Sequence, residues 1–171
     1  LGNGADITNV TLCGIAATIS SQVADRVWIE PAAVTNGMIG DVVVQSTSYG
    51  TTIKSNAFTY LMPTFTLFGT NGMLITNNNT AMAADGTDLG EIIVGQGTLT
   101  NIFMLTNSGN TALNISGVST SGAGASCFTL QLTSSVISVS SVVHIPVVFN
   151  PQGGERNASF TFANNATNAP F

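Results

Sequence analysis

The run Val142-Val143-His144-Ile145-Pro146-Val147-Val148-Phe149 leads into Asn150-Pro151-Gln152-Gly153-Gly154 and then, a few residues on, into Ala158-Ser159-Phe160-Thr161-Phe162-Ala163. Side chains on a strand alternate between faces with a period of two. Val143, Ile145, Val147 and Phe149 therefore share one face, and Val142, His144, Pro146 and Val148 share the other. The first face is predicted to pack a core. In the following strand Ala158, Phe160 and Phe162 are expected inward, with Asn157, Ser159 and Thr161 outward. The segment between them is made of turn-favouring residues. Pro146 cannot donate to a ladder, so an edge position or a bulge is expected there.

The same texture extends in both directions. Short alternating runs cover residues 9–13, 25–29, 41–45 and 101–106, separated by Gly, Asn and Ser clusters. Val, Ile, Thr and Phe are common while Glu, Lys, Arg and Leu are scarce, which is strand chemistry. Regularly spaced strands with turn signals between them predict an all-β sandwich or barrel. Phe103 and Leu105 point one way and Ile102 and Met104 the other, so both faces of that strand are expected to be covered. The break at Leu61-Met62-Pro63 divides the chain into residues 1–61 and 62–171, with no repeat between the two.

Composition narrows the function. Of 171 residues only 6% are charged, against roughly 25% in an average soluble domain. Hydrophobic residues make up 44%, which excludes the composition of a disordered chain. Three Lys and Arg with a net charge of -5 cannot neutralise a phosphate backbone, so nucleic acid is not expected as a partner. No apolar run has the length of a membrane helix, and no membrane insertion is expected. Leu1 is followed by no basic-then-apolar leader, as in a processed or excised chain. Cys13 and Cys127 match no metal spacing, and His144 is the single histidine. The two thiols are either small buried groups or a disulfide, within or between chains.

Two stretches resemble known families. Ile7-Thr8-Asn9-Val10-Thr11-Leu12-Cys13-Gly14, Ala16-Ala17-Thr18-Ile19, Pro31-Ala32, Gly40-Asp41-Val42-Val43-Val44 and the closing Ser55-Asn56-Ala57-Phe58-Thr59-Tyr60 resemble an IPT/TIG domain, an immunoglobulin-like fold. Residues 68–171 resemble the bacterial choice-of-anchor D domain, related to ASPM/SPD-2/hydin modules. That likeness rests on Phe68-Gly69, Ala84-Asp85-Gly86-Thr87-Asp88-Leu89-Gly90, Phe103-Met104-Leu105-Thr106-Asn107-Ser108-Gly109, Phe128-Thr129-Leu130 and Val147-Val148-Phe149-Asn150-Pro151. The resemblance implies two tandem immunoglobulin-like β-sandwiches from a large secreted or surface protein, and it brings no catalytic residue. Against the family patterns both modules are expected to be short of strands at the chain ends: before Ile7 in the first, and at Asn168-Ala169-Pro170-Phe171 in the second. An incomplete sandwich exposes unpaired backbone, a template for another strand. The extended apolar segment from Met62 to Thr76 is the candidate donor.

Chemistry-bearing residues are sparse. The acids are scattered, and no cofactor or catalytic group is expected. Asp85-Gly86-Thr87-Asp88 has calcium-type oxygens but reads as a turn, since calcium takes six to eight ligands. His144 lacks an identifiable nucleophile and orienting group. Sequons for glycans occur at Asn9, Asn78, Asn114, Asn157 and Asn165, a frequency that this composition generates by chance. Glycans or burial in an assembly would each solubilise so uncharged a surface. Trp28 is expected in a core or between modules rather than as a sugar platform. The expectation is a non-enzymatic extracellular or cell-surface subunit whose partners are head-to-tail copies of itself, assembled into a fibre or array by strand complementation. The alternative is a carbohydrate- or cell-binding adhesin segment. The third and weakest reading is an ancillary module of a secreted enzyme.

Overall fold

The computed structural model describes residues 5–132 and 135–166. Among them there is no α-helix, and the one helical turn is a 3-10 turn at Ala125–Cys127. The chain forms two compact units, residues 1–61 and 62–171. The expectations placed on residues 168–171 lie outside the described residues.

The first unit has five strands: β1 Ile7–Leu12, β2 Ile15–Val23, β3 Arg26–Glu30, β4 Met38–Ser46 and β5 Gly50–Tyr60. All five hydrogen-bond into one antiparallel sheet, in the order β3-β2-β1-β4-β5. The β1–β2 hairpin turns on Cys13 and Gly14, both with positive φ (53° and 80°), as a two-residue hairpin loop requires. Gly40 lies against that turn, where an added Cβ would sit 2.9 Å from the Cα of Cys13. Below this turn the sheet curls around a small cluster. Ile7, Val10, Leu12 and Tyr60 are buried, and Ile19, Ile29, Val34 and Phe58 pack on them from both ends of the strand order. Where β2 leaves β1, the side chain of Gln22 replaces the ladder: Ile7 N donates to Gln22 Oε1 (3.0 Å) and Gln22 Nε2 donates to the Ile7 carbonyl (3.1 Å).

The second unit is a sandwich. One sheet, in the order β10-β12-β8-β6-β7, contains β6 Phe65–Phe68, β7 Leu74–Ile75, β8 Leu99–Asn107, β10 Phe128–Leu130 and β12 Val142–Phe149. The other, in the order β11-β9-β13, contains β9 Leu113–Ser121, β11 Val136–Ile137 and β13 Ser159–Asn164. Between them Phe65, Leu105, Leu113, Ile137, Ile145, Val147 and Phe162 are buried. The inward faces of β12 and β13 are those that the alternation predicts.

Four expectations are corrected. Pro146 lies on a central strand, with no bulge opposite Ile102. Its carbonyl accepts Gln131 N (2.9 Å) just past the end of β10. The N and C=O of a strand residue point to the same side, so the missing N–H falls where that ladder stops and the ladder to β8 stays whole. The outer face of β8 is only partly covered among the described residues: Ile102 is 47% exposed and Met104 half-buried. Trp28 is 46% exposed, with the Arg26 guanidinium 5.7 Å from its ring centre, while Val27 and Ile29 turn inward. The segment from Met62 to Thr76 is no free donor: β6 pairs with β7 and β8, and Phe65 is buried in the core.

Candidate functional site

The second unit's sandwich is open along one side. Between its two sheets lies a cleft of about 1350 Å³. Its floor is made of inward side chains of β8 and β12 (Phe103, Ile145 and Val147), and the far wall is Phe160 and Phe162 of β13. Phe128 and Phe149, which also line it, stack with ring centres 4.8 Å apart. Loops at residues 76–94 and 151–158 form its rims. The volume exceeds the roughly 300–1,000 Å³ of small-molecule pockets, and the lining combines the apolar side chains of the strands with Asn, Thr and charged residues of the loops.

Beside this cleft β13 is an edge strand, paired with β9 on one side and with no strand on the other among the described residues. Its period of two places Phe160 and Phe162 on the cleft face and the exposed Ser159 and Thr161 on the other. The charged residues lining the cleft are Asp88, Glu91, Glu155 and Arg156, three carboxylates against one guanidinium. The Nε of Arg156 is buried there without a hydrogen-bond partner among the described residues.

The rim loop is anchored by the Asp85-Gly86-Thr87-Asp88 stretch, which forms the turn that its sequence predicts. Asp85 is buried. Its Oδ1 accepts Thr87 N (2.9 Å) and Thr87 Oγ1 (2.6 Å), and its Oδ2 accepts Asn79 Nδ2 (2.6 Å). Burial is the largest single influence on this carboxyl and acts to raise its pKa. The donors of Thr87 and Asn79 together outweigh it, so the net displacement is downward. Asp88 Oδ1 accepts Gly90 N (2.9 Å). Both aspartates thus serve as turn formers. Asn101 Nδ2 donates to the Gly86 carbonyl (2.7 Å), and Gly69 has its Cα so close to the Asp85 backbone that no Cβ fits.

The remaining sequence candidates are dispersed. His144 is exposed on the outer face of β12, opposite Met104. Cys13 is half-buried and Cys127 buried, and both are free thiols. Of the sequons, Asn78 and Asn157 are exposed on rim loops, and Asn157 Nδ2 donates to Glu155 Oε1 (2.9 Å). Asn9 is half-buried and donates to Gln45 Oε1 (3.3 Å). Asn165 spends its amide on neighbouring backbone: Oδ1 accepts Asn114 N (2.7 Å) and Nδ2 donates to the Ala112 carbonyl (3.3 Å). Asn114 is exposed on β9.

Sequence reading missed Asn107. It is fully buried; its Oδ1 accepts Thr64 N (3.2 Å) and Gly109 N (3.0 Å), and its Nδ2 donates to the carbonyls of Thr111 (2.8 Å) and Ile137 (3.0 Å). The available signal was an Asn closing an apolar strand immediately before Ser108-Gly109.

A two-sheet antiparallel sandwich with this core is an immunoglobulin-like domain. The family model for the HYDIN/CFA65/VesB-like Ig-like domain matches residues 81–170, and the chain belongs to that family. No curated protein and no solved structure matches the chain.

Proposed function

We propose that the chain is an extracellular structural subunit that assembles head-to-tail with copies of itself into a fibre or surface array. Backbone pairing at open sheet edges and apolar burial drive the assembly. On this reading the first unit is an IPT/TIG-type module and the second a choice-of-anchor D-type module, and neither carries catalysis. The single supporting observation is the open cleft of the second unit beside the edge of β13, which pairs with β9 alone among the described residues. An exposed apolar surface of this kind marks an interaction site, and burying it is favourable by roughly 25 cal/mol per Å² of apolar area. A heterologous contact that does not close produces a helical filament.

Sedimentation velocity and negative-stain imaging over a concentration series test this. Ordered filaments are expected above a threshold concentration, and Phe160→Glu abolishes them while leaving the far-ultraviolet circular dichroism unchanged. A monodisperse monomer at every concentration overturns the proposal. The adhesin reading retains one observation in its favour, the half-exposed Trp28 ring. Glycan-array binding by a monomer, lost in Trp28→Ala, would select it.

A further inference from the structure

We infer that the strand that docks beside the cleft is β5 of a second copy of this chain, added edge-to-edge to β13; this deepens the proposed function and rests on it. The choice follows from comparing the sheet edges. The edge strands β7 and β11 have two residues each and β10 has three, too few for a stable ladder. β3 has five, with the Trp28 and Arg26 side chains stacked on it. β5 has eleven residues, the first eight of them exposed on both faces, and it pairs with β4 alone among the described residues.

Natural edges are protected by shortness, charge, proline or bulges. β5 has a single charge, Lys54, and no proline. Its one interruption is at Asn56, whose φ is +51° and whose N–H donates to Asp41 Oδ1 (3.0 Å). From Gly50 to Lys54 its pairing with β4 is regular, a length close to the six residues of β13. Thr51 and Ile53 share a face by the strand period, and Ile53 is 59% exposed. Laid against β13 with Thr52 and Lys54 on the cleft face, β5 places Thr51 and Ile53 on the same side as the exposed Ser159 and Thr161.

Charge points the same way. Lys54 stands in no ion pair among the described residues. The cleft meets it with Asp88, Glu91 and Glu155 against Arg156. A β5-to-β5 contact would instead face lysine with lysine. Because β5 and β13 are different surfaces, the contact is heterologous and propagates from copy to copy.

Two variants at exposed positions test the assignment. Copies carrying Thr51→Cys are mixed with copies carrying Thr161→Cys and treated with a short thiol cross-linker, with the parent chain as control for Cys13 and Cys127. Directly paired strands bring such side chains within about 5–8 Å, so a covalent dimer is expected from the mixture and from neither copy alone. In parallel, Lys54→Glu is expected to raise the filament threshold about tenfold, and Glu91→Lys with Glu155→Lys in the same chain to restore it. Filaments that give no mixed dimer, or dimers formed by Thr51→Cys copies alone, overturn the β5-to-β13 contact and leave self-assembly standing. A parent chain that never assembles overturns both.

Discussion

Asn107 satisfies four backbone groups with one side chain, joining the entry to β6, the β8–β9 turn and β11. Unmade buried hydrogen bonds cost more than made ones return. Asn107→Leu is therefore expected to destabilise the second unit by about 3 kcal/mol or more in denaturant titration. Asp85 gives a pH signature. Its folded-state pKa lies below its ordinary value, so its contribution is fully present above the unfolded value near 3.9 and is lost as pH falls through the folded one. Melting temperatures at pH 7 and pH 3 are expected to converge in Asp85→Asn relative to the parent, with the loss at pH 7 and little change at pH 3. Neither residue was legible as important. Asp85 sat in a turn pattern, but nothing in the sequence brings Asn79 to it, and the partners of Asn107 come from three separate segments.

Strands were legible because alternation is local. The faces of β12 and β13 follow directly from the order of Val143, Ile145, Val147 and Phe149 and of Phe160 and Phe162. Alternation does not say which face meets the core: at β3 the pair Val27 and Ile29 takes it and the larger Trp28 is left outside. Phe65-Thr66-Leu67-Phe68 lacks a clean period, so its place in the sheet beside β8 depends on pairing that only the fold supplies. Pro146 sits in a central strand because β10 ends opposite it. Its missing N–H costs at most the reciprocal bond of that last pair with Gln131, and Pro146→Val is expected to destabilise by about 0.5–1 kcal/mol through the freer unfolded chain. A gain in stability on thermal melting would mean that an acceptor had been waiting there.

The two units differ in how much they bury. Four hydrophobic residues form the buried cluster of the first and eleven that of the second. A module of about 60 residues is marginal on its own core, which fits a unit whose longest strand lies exposed at an edge. The strand expected to be missing at residues 168–171 lies outside the described residues, and the cleft's walls and its acidic rim required the tertiary structure. In the proposed assembly a neighbouring copy covers the edges of β5 and β13, each of which pairs on one side only among the described residues. Amide hydrogen exchange on the dilute and the concentrated chain tests this most directly. The account predicts fast exchange across residues 50–57 and 159–163 in the dilute monomer and slow exchange in both once the chain is concentrated. Slow exchange in both segments at high dilution, unchanged on concentration, would contradict it.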